Sequence, residues 1–426
     1  MKKLSRLLSI LMALALMTGV LGVFAGEELV ESAYGGVAVT APGVLPIVKE
    51  PVTLTIMVAQ HANIEDYVNN KMTLYLEEQT GVKINWQIIP SQDATQRVNL
   101  MLASQVDMPD VIMVPSGMSN EVVTDMADQG IFLRLDDMIE KHAYWYKQVR
   151  EKDPILQTLM KLPDGYEYSM PKVVLSEPNA MSRRAWINKK WLDNLGLELP
   201  TTTEELYTVL KAFVENDPNG NGIKDEIGLT GSTDGWATYP EEYILNSFIK
   251  YNRNAPYYLD NGKFEAAYDK DAYREGLIYM NSLCTAGLLD PATYTQNNDV
   301  LRQQFDDPEI AKVGMATGGG TFIWAPMDGE RVREYVPLPP LKGPEGVQFT
   351  YYEPYGSYYS NEWIITSACK NPEVAFRFAD FMYSRDVSMR NRLGEPGVDY
   401  AIPEPGTLAV DGSEALYDPI LPWGKV

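Results

Sequence analysis

Between residues 51 and 114 the spacing of apolar residues switches repeatedly between two periods, and this narrows the possible folds more than anything else in the chain. Pro51 to Ala59 alternates, with Val52, Leu54, Ile56 and Val58 on one face, as a strand does. Ile64 to Thr80 has helical spacing and ends at Gly81, a residue suited to the left-handed stop of a helix. Val82 to Ile89 alternates again, Gln92 to Ser104 returns to helical spacing, and Val111-Ile112-Met113-Val114 is a short apolar run. Strands joined through helices have crossovers long enough to be parallel. The pattern therefore predicts an α/β body with helices flanking its sheets.

The alternation continues downstream. Val122 to Gln129, Leu135 to His142 and Lys189 to Leu195 read as helices, the last stopped by Gly196. Pro200-Thr201-Thr202-Thr203-Glu204-Glu205 opens another, with a Thr cap and early acids that suit the positive end of the helix dipole. Lys270 to Ala286 and Val374 to Tyr383 are helices, Ile310 to Ala316 is a strand, and a further strand covers Trp363 to Thr366.

Residues 1–25 read as a secretory signal peptide: Lys2, Lys3 and Arg6, an apolar run from Leu7 to Phe24, and Ala25 at the exit. The run is close to the ~18-residue length of a membrane span, but its small-residue exit favours cleavage after Ala25. Leu21 to Gly26 contains no cysteine, so lipid attachment there is not expected. Residues 26–50 show no periodicity and read as a linker. The remaining body, roughly 375 residues, exceeds one core and implies two lobes. The expected location is outside the cytoplasm: extracellular, cell surface or periplasm.

The formal charge is −22. Such a surface excludes nucleic acid, whose phosphates require a basic face, and favours neutral or cationic ligands. Two histidines, His61 and His142, leave no basis for a histidine zinc site. Cys284 and Cys369 are the only cysteines, and the sequence leaves open whether they pair.

The sharpest local pattern is Asp217-Pro218-Asn219-Gly220-Asn221-Gly222-Ile223-Lys224-Asp225-Glu226. Oxygen-bearing side chains stand at loop positions 1, 3, 5, 9 and 10, Gly222 permits the sharp turn at position 6, and Ile223 offers a carbonyl. This is the first half of an EF-hand loop and suits a structural Ca²⁺. Position 12 is Gly228, so Glu226 must supply the closing carboxylate. The plain alternative is an Asn/Gly turn between two helices.

The stretch Trp186-Ile187-Asn188-Lys189-Lys190-Trp191-Leu192-Asp193-Asn194-Leu195-Gly196-Leu197, then Pro200-Thr201-Thr202, Glu205-Leu206, Leu210-Lys211-Ala212-Phe213 and the Asp/Asn loop, resembles the family 1 extracellular solute-binding proteins of ABC transporters. The resemblance is to the subgroup of LplA-like and alginate-binding lipoproteins. Gly343-Pro344-Glu345-Gly346, Ile364-Ile365 through Asn371-Pro372-Glu373-Val374-Ala375, and Gly394-Glu395-Pro396-Gly397-Val398-Asp399-Tyr400 are similar to further family segments. The resemblance runs from about residue 50 to the end. It implies a two-lobed periplasmic-binding-protein type II fold, with mixed sheets flanked by helices and an interlobe cleft. It also implies a receptor that closes on an oligosaccharide or related solute and docks on the permease subunits of an importer. Lobe 1 is expected at 51–172 and 345–384, lobe 2 at 173–344 and 385–426, and a monomer is expected. In alginate-binding relatives the Asp/Asn loop holds calcium, which carries over to Asp217, Asn219, Asn221, Ile223, Asp225 and Glu226. Relatives also extend beyond the Val398-Asp399-Tyr400 region, so the second lobe is expected to be shortened here.

Sugar recognition uses aromatic faces with carboxylates and amides in a cleft. The candidates are Trp324, after Gly318-Gly319-Gly320, where sugar-binding relatives often hold a stacking aromatic; Trp236, past the calcium loop; Glu353 and Tyr355, in a Tyr-rich loop; and Gln60 and His61, at the end of the first strand. Core or rim packing is the ordinary use of such aromatics. A secreted carbohydrate-active enzyme and a surface sensor or adhesin are the alternatives. The acid pairs Asp136-Asp137, Glu241-Glu242 and Asp306-Asp307 are poor catalytic pairs, because adjacent acids do not flank one glycosidic bond. Gly-x-Ser-x-Gly is absent, and Gly318-Gly319-Gly320 lacks the Lys-Ser/Thr of a phosphate loop. The expectation is a receptor without catalysis.

Overall fold

A computed structural model describes residues 29–61, 64–114, 118–174, 177–307, 309–325, 329–353, 358–409 and 412–421. The expected signal peptide lies outside the described residues. Among those described, no helix is long and apolar enough to cross a membrane. The chain divides into two compact units, Met1–Lys172 with Tyr359–Val398 and Val173–Tyr358 with Asp399–Val426.

The strands in chain order are β1 (Val52–Ala59), β2 (Val82–Ile89), β3 (Val111–Met113), β4 (Ser169–Val173), β5 (Ala185–Asn188), β6 (Ile227–Thr230) and β7 (Tyr257–Asp260). They continue with β8 (Lys263–Ala266), β9 (Val313–Thr317), β10 (Tyr335–Leu338), β11 (Tyr358–Ile365), β12 (Tyr400–Ala401) and β13 (Asp418–Pro419). The first unit is built on the sheet β2-β1-β3-β11-β4, with β2 and β3 parallel to β1 and β11 antiparallel to β3. The pairing of Val52 with Val82 through Ala59 with Ile89 keeps Leu54, Ile56, Val82 and Ile84 in one core. The helix predicted from Ile64 begins only at Lys71. Asp66 accepts from the backbone N–H groups of Val68 and Asn69, and the Asn70 side chain then caps the helix at Thr73. Local side-chain bonds of this kind compete with helix and delay its start.

Residues 29–50, expected to be a linker, are packed onto the first unit instead. Val39, Ile47 and Val48 are buried in its core, and Ile47 N–H donates to Thr80 O at 2.9 Å. The buried Arg377 guanidinium donates to the carbonyls of Thr40, Ala41 and Val44. Such a segment has no periodicity because it is held by backbone bonds and isolated side chains. The lobe boundary expected at 344/345 lies at 358/359, because Phe349 N–H bonds Asn246 O and Glu353 N–H bonds Ala180 O. The one expected at 384/385 lies at 398/399, because the helix Arg385–Leu393 buries Val387 in the first core.

The second unit is built on the sheet β10-β5-β9-β6, with β6 parallel to β9 and β5 antiparallel to it. The helix Thr203–Glu215 opens with a capping box: Thr202 accepts from Glu205 N–H, and the Glu205 carboxylate accepts from Thr202 N–H. Its apolar stripe of Leu206, Val209, Leu210 and Phe213 packs with Trp191 and Met315. Sequence periodicity missed the hairpin β7–β8, a short outlying pair whose faces are largely exposed.

Candidate functional site

In the second unit the carboxyl ends of β6 and β9 lie at the same sheet edge as the amino end of β5, where Ala185 pairs Thr317. Open α/β sheets present their ligand contacts at such ends. The loops emerging there are Gly231 to Thr238, Gly318 to Trp324, and Arg183-Arg184 ahead of β5.

The glycine run explains the aromatic arrangement. A Cβ on Gly319 would fall within 3.0 Å of three ring atoms of Trp236, and one on Gly320 would collide likewise with the Phe322 ring. Glycine is thus the seat that lets each ring lie on the backbone. The two rings are 6.0 Å apart at 34°. Gly319 N–H donates to Trp236 O at 2.9 Å, and Arg184 Nη1 donates to Gly319 O at 2.8 Å. Trp186 Nε1 donates to Gly318 O at 3.0 Å. On the other side, Ser232 N–H bonds Thr238 O and Gln296 Nε2 bonds Gly231 O. Trp236 is half-buried, so part of its surface faces solvent.

Beside this platform is an ion-pair cluster. Arg183 Nε stands 3.0 Å from Glu242 Oε2, and its Nη2 stands 3.5 Å from Glu353 Oε2. The Arg183 guanidinium also lies over Tyr351, 5.6 Å from the ring centre. Arg253 pairs Glu241 at 3.5 Å and covers the Tyr239 ring at 3.8 Å. Burial pushes the Glu241 carboxyl up from its ordinary range, against the pull of Arg253.

The sequence candidates separate clearly. Trp236 and Glu353 lie among these loops. Trp324 does not serve as a platform, which corrects that expectation. It has no exposed surface: Phe305 stacks on it at 4.3 Å and Tyr335 meets it edge-on at 5.1 Å. The register of the glycine run decides this, because Gly318 admits Trp324 into the core whereas Gly319 seats Trp236 outside it. Tyr355 lies outside the described residues. Gln60 and His61 are exposed at the carboxyl end of β1 in the first unit, where Gln60 N–H bonds Ile89 O and His61 N–H bonds Tyr67 Oη. Arg183, Arg184 and Phe322 were not singled out by sequence, and Glu242 was noted only as half of a poor catalytic pair. The signal for the arginines was a pair of cations directly ahead of a short apolar strand.

The Asp/Asn loop runs from helix Thr203–Glu215 into β6, so a strand follows it where an EF-hand has a helix. Asp217 Oδ1 accepts from Asn221 N–H at 3.1 Å, Asp217 Oδ2 from Gly222 N–H at 2.9 Å, and Asn221 Oδ1 from Ile223 N–H at 2.7 Å. Asn221 Nδ2 donates to Asp225 Oδ1 at 3.0 Å. Glu226 Oε1 is buried with no hydrogen-bond partner. Burial pushes its carboxyl up, with Asp217 and Asp225 adding to the shift. Gly228 cannot carry the position-12 carboxylate, because its Cβ would lie 2.5 Å from Leu288 O. Among the described residues, no three His, Cys, Asp or Glu side chains gather closely enough to hold a metal by themselves, so amide and carbonyl oxygens must complete any set. Cys284 and Cys369 are both free thiols, and burial pushes Cys369 up to about 12.

The model of the family described as bacterial extracellular solute-binding protein matches residues 59–389. The chain belongs to this family. It is 31% identical over 365 residues to the fructooligosaccharide ABC transporter substrate-binding protein FusA of Streptococcus pneumoniae serotype 4, covering 84% of this chain and 66% of that protein. A solved structure of S. pneumoniae FusA in complex with kestose matches at TM-score 0.74 and 28% identity, over 85% of this chain and 74% of that one. Another is described as an EF-hand mutant of FusA in complex with fructo-nystose, also at TM-score 0.74. The polygalacturonan/rhamnogalacturonan-binding protein YtcQ of Bacillus subtilis is 24% identical over 280 residues, 64% of this chain and 51% of that protein. The chain thus spans less than two thirds of the length of these curated relatives. The solute-binding proteins of the family share its two-lobed α/β fold.

Proposed function

We propose that the chain is an exported receptor that binds an oligosaccharide and delivers it to the permease of an ABC importer. The observation that carries the reading is the strand-end face of the second unit. There a half-buried indole is seated on Gly319, Arg184 bonds the Gly319 carbonyl, and the preceding residue Arg183 pairs with the Glu353 carboxylate. An indole offers the apolar face of a pyranose or furanose a flat partner, and Glu353 offers acceptors to sugar hydroxyls. The kestose and fructo-nystose complexes of FusA support a saccharide. Gln60, His61 and Tyr355 are candidate solute contacts on sequence pattern alone. The protein would act outside the cytoplasm as a monomer, and no side chain is assigned a catalytic role.

The Asp/Asn loop fits calcium in this reading. Glu226 Oε1, buried and unpartnered, is an acceptor awaiting a cation, and the EF-hand named for FusA agrees. Asp217, Asn219, Asn221, Asp225, Glu226 and the Ile223 carbonyl would hold the ion. Bound calcium would neutralise the loop's carboxylates and pin it to β6.

The test is thermal unfolding of residues 26–426 against a panel of oligosaccharides, with calcium and with chelator. A ligand of the native state raises the melting temperature by mass action. A shift with one saccharide and no cleavage product supports the receptor. No shift across the panel counts against it.

A further inference from the structure

The loop that carries Trp236 is tied to a neighbouring turn of the second unit. Leu229 of β6 bridges Leu289 in parallel, and Asp290 N–H donates to Leu229 O at 2.9 Å. The turn Pro291–Tyr294 therefore leaves the sheet at the same strand-end edge as the Gly231 to Thr238 loop. Gly231 N–H donates to Thr293 Oγ1 at 3.2 Å, and Thr233 N–H donates to Gln296 O at 3.0 Å, which fastens the two together.

Two adjoining hollows open beside this junction. The smaller, about 60 Å³, is lined in part by Ser232 and Thr233 of the Trp236 loop. The larger, about 430 Å³, lies along the helix Asp271–Thr285 and is lined in part by Tyr251, Tyr273 and Asn281. Glu241 and Tyr294 line both, so the hollows are neighbours across these two side chains. The larger is within the ~300–1,000 Å³ of small-ligand sites.

The lining has the chemistry a saccharide uses. The Tyr251 and Tyr273 rings stand 5.6 Å apart at 34°, and Tyr294 is 49% exposed. Ring faces suit the apolar faces of sugars, and tyrosine hydroxyls and the Asn281 amide both donate and accept. Glu241, steadied by Arg253 at 3.5 Å, adds acceptor oxygens.

We infer that this recess is a second saccharide subsite, which takes the far end of a chain whose near end lies on Trp236, so that long chains bind better than trisaccharides. The inference rests on the receptor reading above. Once the near end is held, contacts made by the far end add affinity without a second association cost.

The experiment is calorimetric titration of residues 26–426 with matched trisaccharides and heptasaccharides of the fructan (kestose), maltodextrin, xylan and β-glucan series. In the series that binds, the heptasaccharide is expected to bind at least tenfold tighter than the trisaccharide. Tyr294→Ala, which removes the shared wall, should bring that ratio close to one. Leu277→Trp, at a half-exposed position lining the larger hollow, should do the same by filling it, and guards against a folding defect in the first variant. A ratio below tenfold in the wild type, or one unchanged in both variants, overturns the inference and leaves the receptor intact. Binding of no series overturns both.

Discussion

Gly319→Ala isolates the role of the indole seat. The added Cβ would meet Cδ2, Cε3 and Cζ3 of Trp236, all inside the 3.0 Å limit that real Cβ contacts respect. Ordinary carbon contact is about 3.5–4.0 Å, so the ring must retreat by about 1 Å. The backbone cannot give instead. Gly319 N–H is held by Trp236 O at 2.9 Å and its carbonyl by Arg184 at 2.8 Å. Overpacking of this kind costs about 1–3 kcal/mol. The displaced ring also loses its alignment with a bound sugar, so affinity should fall about tenfold or more, which is about 1.4 kcal/mol. Thermal unfolding measures the first effect and saccharide titration the second. A variant with wild-type affinity would refute the claim that the glycine run seats a ligand-facing aromatic.

Other outcomes follow from the same structure. Trp324→Ala should destabilise the second unit by about 3–5 kcal/mol while leaving the affinity of folded protein close to wild type, read by denaturant titration and calorimetry. Arg377→Met should release the segment around Thr40 to Val44, visible as new protease cleavage there, because the guanidinium holds its carbonyls. Calcium stabilisation should weaken as pH falls. The Glu226 pKa is raised in the folded state by burial, so the metal-free fold is penalised above that pKa and relieved below it, whereas calcium requires the ionised form. Accordingly, Glu226→Gln should raise the melting temperature of chelator-treated protein at neutral pH and abolish its response to calcium.

The parts of the fold legible in the sequence are those in which one face of a regular element is buried. The alternation of Val52 to Val58 and of Val82 to Ile88 marks the parallel pair β1–β2, and Gly81 marks the helix stop between them, with φ 73°. The segment 29–50 was illegible because its anchor, Arg377, lies more than three hundred residues away in sequence. At the site, Trp236 stood out as an aromatic just past the Asp/Asn loop and Glu353 as a carboxylate in a Tyr-rich loop before a strand. Trp324 looked equally good, and only the placement of Gly318 against Gly319 tells core from platform. Arg183 was missed because its meaning depends on Glu242 and Glu353, which only tertiary packing brings to it.

The central claim is saccharide binding on the Trp236 face. The most direct test is calorimetric titration of wild-type residues 26–426 and of Trp236→Ala with the same neutral oligosaccharide, followed by chromatography of the sugar. The account predicts one saturable site in the wild type, at least tenfold weaker binding in the variant, and sugar recovered intact. Equal affinity in both proteins, or a sugar cleaved during the titration, would contradict it.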